Sequence, residues 1–525
     1  MNKNKVSFRL PTFMTDETDS PPKLKSKFIL ELTVFICGAL VMIYEIIGSR
    51  LLSPYLGAST YVWTSLIGVI LGALSFGYWL GGQIADKKPD LKILASVIFF
   101  AGGLVSATIL LKDLLLSFIA QISFGLELKS LLAALLLFAP ASILLGFVTP
   151  YAVKLKMSAL KDSGKTVGRL YALSTVGSIL GTFLAGFVLI PFLGSEKTLY
   201  LLGATLIGLS ILLAPFAVTK INIAVLILFV LGIGVSEAKV YFLRQTNDLH
   251  DIDTEYSRIQ VFQTVEPKTK KPVRALAIDP FFTQSAMFLD SDELVLDYAR
   301  YYHLLRHFKP DFQNTLLIGG AGYTFPRDYL AKYPNAKIEV VEIDPQMTEI
   351  ARRFFRLQDD PRLKITHQDG RIFLNQAAEN RFDVVLMDAF GSLFSVPFQL
   401  TTVEAVANIS RALKDDGVVI FNVGGAIKGD ASRFLRAELK TYRQIFPKVY
   451  LLKINSELSD EDLQNFIIVA CKTENAAALT SDDAEISDLL DHLYTENIST
   501  DLEILTDDLA PVEYYNSLAQ SVYRR

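Results

Sequence analysis

The sequence has almost no cysteine, no strong charge of either sign and no secretory signature at its start. There are two cysteines in 525 residues, Cys37 inside an apolar run and Cys471 at the end of a strand-like one. They imply neither a disulfide framework nor a metal cluster. A formal net charge of −4 gives no reason to expect nucleic acid as a partner. Residues 1–27 are polar and carry Lys3, Lys5, Arg9, Lys23, Lys25 and Lys27. That stretch is too long for the basic leader of an ordinary signal peptide, and it reads as a disordered cytoplasmic tail. What the chain does have is apolar length. Hydrophobic residues make up 51% of it, high for a soluble protein, and 525 residues exceed one domain of ordinary size.

The apolar excess lies in residues 28–239. Segments near 28–50, 62–84, 92–111, 130–151, 168–193, 198–217 and 221–238 each approach the roughly 20 residues a helix needs to cross a bilayer. A membrane domain of about seven helices is expected. Residues 113–125 are apolar but too short to span, and are expected to lie along the interface. Gly72, Gly77, Gly81 and Gly82, and then Gly177, Gly181 and Gly186, recur at spacings that let membrane helices approach closely. Basic residues crowd the tail, the turn Lys87–Lys92 and the loop from Lys154 to Arg169; these regions should face the cytoplasm. With seven crossings that rule puts the C-terminal half outside. A soluble domain that uses a cytosolic nucleoside argues the opposite, and its cytoplasmic placement on a cell (inner) membrane is the one expected here. Near the end of the first crossing, Arg50 is expected to snorkel to the interface and Glu45 to pair with it or with a neighbouring helix, with a transport or substrate role as the alternative.

From about residue 240 charge rises and the apolar runs shorten. Residues 240–290 read as a linker and a small antiparallel β-unit, with Ser257–Thr264 alternating like a strand and Arg274–Ile278 able to pair with it. In residues 291–472, strand-like runs at 315–319, 337–342, 363–367, 382–388 and 417–423 alternate with helix-like segments. Two further runs, 448–454 and 464–471, follow in succession as a hairpin that closes the sheet. This pattern gives a doubly wound sheet. Residues 473–525 are an acidic tail, expected to be helical in places and otherwise uninformative. Past the carboxyl ends of the first four runs stand Gly319, Gly320 and Gly322, then Glu342, then Asp369 and Gly370, then Asp388. Ligands bind at such strand ends in an open α/β sheet. The glycine turn lets backbone approach a nucleoside, and the carboxylate after the second strand can accept from ribose hydroxyls.

These residues, in this order, make the soluble half resemble a spermidine synthase (polyamine aminopropyltransferase), and the whole chain resembles the membrane-fused form of that family. Tyr44–Leu52 and Gly168–Leu173 are similar to segments of the fused form. The implied fold is a multi-pass α-helical membrane domain followed by an α/β class I methyltransferase-like (Rossmann-like) doubly wound sheet with a small N-terminal β-unit. The implied activity is transfer of a propylamine group from decarboxylated S-adenosylmethionine to a small-molecule amine acceptor of polyamine type, a diamine such as putrescine, with no metal and with the lipid bilayer as a second partner. The resemblance assigns Asp388 as general base, Glu342 to the ribose, Asp369 and Gly370 to the adenine amino group, and Gly319 and Gly320 to the nucleoside loop. It places Gln284, Tyr256 and His303 on the substrate side. Soluble members of the family are commonly oligomers, so a homo-oligomer is a further expectation. Separately, Gly82–Lys88 resembles a loop of major facilitator transporters, although seven helices are too few for one of those.

The sequence also departs from the family. Gly322 stands where the family loop Gly-Gly-Gly-Asp-Gly has its aspartate. The family's Tyr-Gln pair is Tyr256-Ser257, the glutamate of Tyr-His-Glu is Leu304, and the second acid of Asp-x-x-Asp is Gly391. A buried ammonium needs a compensating charge, so the adenosine half of the pocket is expected intact and the polycation half depleted. Two other readings stay open: a methyltransferase or other transferase using S-adenosylmethionine itself on a different acceptor, and a non-enzymatic or transport-coupled membrane protein whose soluble domain senses a nucleoside.

Overall fold

The protein is described from a computed structural model, which covers residues 24–122, 124–157, 163–214, 220–280, 282–389 and 396–522. Its first half is a helical bundle: α1 (Leu24–Leu56), α2 (Thr60–Lys87), α3 (Leu91–Gln121), α4 (Leu126–Leu137), α5 (Ala139–Lys156), α6 (Ser163–Leu184), α7 (Ile190–Leu193), α8 (Ser195–Leu213) and α9 (Lys220–Asn247). A π-helical turn, Ala185–Leu189, joins α6 to α7. Six spans are long and apolar enough to cross a membrane, and the pair α4–α5, bent by 56°, makes a seventh if taken as one. Pro140, near the start of α5, has no N–H to continue the helical ladder and accounts for the break.

The helix ends show that the bent pair crosses the bundle. At its start, Lys129 donates to the Ala120 carbonyl at the end of α3, 3.0 Å away, and α4 packs against the C-terminal helix of the soluble half. At its finish, Lys154 pairs with Asp86 of α2 at 2.7 Å. At that same far end Arg169 and Lys156 hold Glu31. Seven crossings therefore leave the N-terminal end of α1 on the face opposite the soluble half.

Two expectations about this half are corrected. Residues 113–121 do not lie along the interface; they continue α3. Lys112 and Asp113, which interrupt the apolar run, are neutralised in place: Lys112 pairs with Glu196 and Asp113 with Lys239, at 2.8 and 2.7 Å. Arg50 does not pair with Glu45 but donates to the Glu255 carbonyl of the soluble half. The glycine expectation holds in part. A Cβ on Gly77 would strike the Ile143 carbonyl of α5, and one on Gly177 the Phe35 carbonyl of α1, whereas Gly72, Gly82 and Gly186 face open space.

The second half begins with a four-stranded antiparallel sheet of β1 (His250–Asp253), β2 (Arg258–Val265), β3 (Pro272–Ala277) and β4 (Ser285–Phe288), in that order. The pairing of β2 with β3 sets Gln260 opposite Ala277, as the alternation predicts. Short helices α10 (Asp297–Tyr301) and α11 (Leu305–Phe308) lead into the main sheet. Its elements are β5 (Asn314–Ile318), α12 (Thr324–Lys332), β6 (Lys337–Glu342), α13 (Pro345–Phe354), β7 (Leu363–His367), α14 (Gly370–Gln376), β8 (Phe382–Met387), α15 (Val403–Ala412), β9 (Leu413–Gly425), α16 (Arg433–Arg443), β10 (Lys448–Lys453) and β11 (Gln464–Cys471).

Seven strands run in the order β10-β11-β9-β8-β5-β6-β7. The five from β9 to β7 are parallel. The closing hairpin is inserted rather than appended: β11 pairs antiparallel with β9, leaving β10 at the edge. The strand order reverses between β5 and β8, which opens a crevice at their carboxyl ends. The tail is not inert. It forms α17 (Ala484–Leu490) and α18 (Val512–Val522), buries Leu505 and Val512 completely, and meets α2 where the Thr60 N–H donates to Glu513 at 2.9 Å.

Candidate active site

The turn after β5 is built by backbone conformation. Gly319 has φ +97°, and a Cβ there would strike the Asp388 carbonyl, so only glycine lets the ends of β5 and β8 meet. Ala321 and Tyr323 also adopt left-handed φ, at 42° and 53°. Glu342, at the end of β6, holds this turn. Its Oε2 accepts from the N–H groups of Gly320 and Ala321 at 2.8 and 3.2 Å, and its Oε1 from Asp344 at 3.0 Å. Burial pushes its pKa up while these three bonds pull it back. A carboxylate offers about four acceptor positions, so Glu342 retains room for about one more donor.

The remaining strand-end residues follow in line. Asp369 caps α14 by accepting from the Ile372 N–H at 3.0 Å, and a Cβ on Gly370 would come within 2.8 Å of Ile318 Cγ2. Asp388 follows β8. Neighbouring strands lie about 4.8 Å apart, so the row from β7 through β6 and β5 to β8 spans roughly 14 Å, a length suited to an extended adenosyl sulfonium.

Asp388 opens on a cavity of about 130 Å³ lined by Phe282, Thr283, Gln284, Tyr298, Ala321, Val396, Asn422, Gly424, Phe434 and Asn465. Asn422 donates to Asp388 Oδ1 at 3.1 Å and is itself oriented by Asn465 at 2.9 Å. The Tyr298 and Tyr302 rings flank the carboxylate. Desolvation pushes the Asp388 pKa up to about 7, against the hydrogen bonds that favour its charged form. A carboxyl group poised there is matched to general-base work near neutral pH.

The structure thus brings together Asp388 and Gln284, with the glycine turn as the adjoining wall, and sets Glu342, Asp369 and Gly370 along the same sheet edge. Other candidates are placed elsewhere. Gly322 faces away from the cavity: its N–H donates to Ser285 Oγ at 2.9 Å, and a Cβ on it would come within 2.7 Å of the Ser285 Cβ. Tyr256 sits half exposed in the turn between β1 and β2, next to the Glu255 carbonyl that receives Arg50. His303 is fully buried behind the sheet, bound to Tyr333 at 2.7 Å and Asp328 at 2.8 Å; it is a packing residue. The residue before it, Tyr302, is the one that reaches the site. Sequence reading missed Tyr298, Asn422 and Asn465. The polar asparagine in the apolar run Val418–Val423 was the available signal. Residues 390–395, next to Asp388, lie outside the described residues.

An open, mostly parallel sheet with a glycine turn at its switch point and acids on successive strand ends defines the class I methyltransferase-like (Rossmann-like) fold, here carried on a multi-pass membrane bundle. Residues 284–472 match the family model of the spermine/spermidine synthase domain. A polyamine aminopropyltransferase of Vibrio vulnificus is 30% identical over 152 residues, covering 29% of this chain and 49% of that one. Polyamine aminopropyltransferase 1 of Ralstonia nicotianae is 25% identical over 451 residues, covering 78% and 79%. The crystal structure of a probable spermidine synthase from Corynebacterium glutamicum aligns at 20% identity and a TM-score of 0.40, over 53% of this chain and 95% of that one. The chain is homologous, at low identity and over most of its length, to the polyamine aminopropyltransferase (spermidine synthase) family. Homology and fold together support a spermidine-synthase-like transferase with a donor related to S-adenosylmethionine.

Proposed function

We propose that the protein transfers a propylamine group from decarboxylated S-adenosylmethionine to an amine. The observation that carries this reading is the charge of the cavity around Asp388. It holds one carboxylate and, among the described residues, no lysine or arginine; residues 390–395 contain none either. Such a wall complements an ammonium and offers nothing to the α-carboxylate of S-adenosylmethionine, so it favours the decarboxylated donor over the methyl-transfer reading.

In the proposed reaction Glu342 and Asp369 hold the ribose and adenine. The sulfonium then lies toward Asp388 at the far end of the row. The acceptor nitrogen attacks the methylene bound to sulfur. The C–S bond breaks with its electron pair on sulfur, leaving neutral methylthioadenosine, and the proton lost from nitrogen passes to Asp388. Sulfur needs no help to leave, so the chain contributes alignment and a base. Gln284, which lines the same cavity, positions the amine end of the donor.

The test is to incubate the full chain in detergent with each donor and a panel of amines, and to identify products by mass spectrometry. Methylthioadenosine together with an aminopropylated amine is the expected result. S-adenosylhomocysteine with a methylated product would overturn the donor assignment.

A further inference from the structure

The row of strand ends does not stop at Asp388. Beyond β8 come β9 and then β11. Met387 is level with Phe421, which sets Asp388 beside Asn422. Asn465 stands opposite Gly424 in the antiparallel pair, and Asn422 opposite Ile467. Residues two apart on a strand share a face, so Asn465 and Asn422 are diagonal neighbours within side-chain reach. Gly424 offers no side chain across the pair, and Asn465 reaches Asn422 instead. All three line the cavity that holds Asp388.

The hydrogen bonds along this row run one way. A carboxylate only accepts, so Asn422 turns its amide N–H toward Asp388 Oδ1, at 3.1 Å. Its carbonyl oxygen then faces β11, where the Asn465 N–H donates to it at 2.9 Å. Asn465 has committed its nitrogen, and its Oδ1 is left over. Among the described residues no donor reaches that oxygen.

Two strand spacings, about 9.6 Å, separate β8 from β11. With a hydrogen bond at each end, a chain of about four to six carbons bridges them. The attacking nitrogen lies at Asp388, so Asn465 meets the opposite end of the acceptor. That end lies against an uncharged wall. Asp388 is the only carboxylate among the described lining residues, and residues 390–395 add none. Asp279, which touches Gln284, does not line the cavity and already accepts from the Phe282 and Gln284 N–H groups at 2.8 and 3.5 Å. A second ammonium beside Asn465 would be buried without a counter-charge, which is costly. A hydroxyl makes the same hydrogen bond and carries no charge.

We infer that Asn465 is a substrate-binding residue whose Oδ1 accepts from a neutral donor at the far end of the acceptor, and that the acceptor is an amino alcohol rather than a diamine. This rests on the aminopropyl-transfer reading above and supplies its acceptor class. The reaction balances as written there, with the nitrogen of the amino alcohol as nucleophile.

The experiment uses the full chain in detergent with decarboxylated S-adenosylmethionine. The acceptors are 5-aminopentan-1-ol, pentylamine and 1,5-diaminopentane, and the readouts are methylthioadenosine release and the mass of each amine. The amino alcohol should exceed pentylamine in kcat/KM by about two- to tenfold, the worth of one neutral hydrogen bond, and the diamine by more than about tenfold. In Asn465→Ala the ratio of amino alcohol to pentylamine should fall to about 1, and the break in rate near pH 7 should move up, because Asn422 is no longer held with its N–H toward Asp388. In Asn465→Asp the preference should pass to the diamine, whose second ammonium gains a counter-charge, and the like charge should move the break further up. Tyr298 and Tyr302, which also flank Asp388, are the same in every variant. Methylthioadenosine affinity, measured by calorimetry, reports that each variant is folded. A parent that prefers the diamine, or acceptor ratios indifferent to both substitutions, would sink the inference and leave the proposed reaction standing. Donor binding without methylthioadenosine release from any amine would overturn the proposed reaction and this acceptor class with it.

Discussion

Replacing Asp388 by asparagine should abolish turnover and stabilise the protein, and both effects come from the same burial. The carboxyl group moves from an ordinary value of 3.8 to about 7 on folding because it is desolvated at the end of β8. Below about pH 4 it is protonated in both folded and unfolded chains and contributes no pH dependence. Between about pH 4 and 7 the folded chain keeps a proton that the unfolded chain has lost, so stability falls as pH rises; above about 7 the loss is complete. Three pH units at 1.36 kcal/mol each set a ceiling of about 4 kcal/mol, and the open side of the cavity brings the expected figure to roughly 2–4 kcal/mol. Asp388→Asn removes that penalty while Asn422 can still donate to the new amide oxygen. At pH 8 the variant should therefore melt roughly 5–15 °C higher, at 2–4 °C per kcal/mol for a domain of this size. At pH 4 it should melt as the parent does. Loss of the base should lower kcat by roughly 10²–10⁴. In the parent, rate per ammonium should rise about tenfold per pH unit up to about 7 and then level. The measurements are melting of the full chain in detergent at the two pH values and methylthioadenosine release across the range. Equal melting at pH 8, or a rate flat through pH 7, would refute the claim that this carboxylate is both strained by burial and chemically used.

Asn422→Ala removes a hydrogen bond that favours the charged form of Asp388, so the break in the rate profile should move above 7; a bond worth about 1 kcal/mol shifts it by somewhat less than one pH unit. Restoring the family acid with Gly322→Asp should not create diamine turnover. Its Cβ meets Ser285, and overpacking of this kind costs about 1–3 kcal/mol, read as a lower melting temperature that Ser285→Gly relieves. Reporters fused to the two termini should lie on opposite faces of the membrane, because seven crossings separate them. Which face is cytoplasmic is read by the same reporters: the basic ends of α2, α5 and α6 argue for the N-terminal side, and a cytosolic donor argues for the soluble half. A cytoplasmic reporter at both ends would show that α4–α5 re-enters rather than crosses.

The strand-end residues were legible in the sequence because parallel strands buried on both faces read as unbroken apolar runs, and a glycine or acid after such a run has few structural reasons to be there. Glu342, Asp369 and Asp388 each emerged from that contrast alone. The residues that decide what Asp388 does were not legible, for a physical reason. Tyr298 arrives from a short helix 90 residues upstream, Asn465 from a strand inserted in the reverse direction between β9 and β10, and their meeting depends on a strand order that local pattern does not encode. His303 shows the converse error. A family motif identified the right stretch, but one residue's rotation on a helical turn sends Tyr302 toward the carboxylate and His303 behind the sheet, into a cage of Tyr333 and Asp328. The same limit hid the charged cluster where α3 meets α8 and α9. Lys112 and Asp113 look like the end of a membrane span, and only packing against α8, α9 and the small sheet turns that pair into part of a charged cluster with Glu196, Lys239 and Arg258. Where a site is assembled from distant elements, the sequence names its most polar member and the fold supplies the neighbours that set its chemistry.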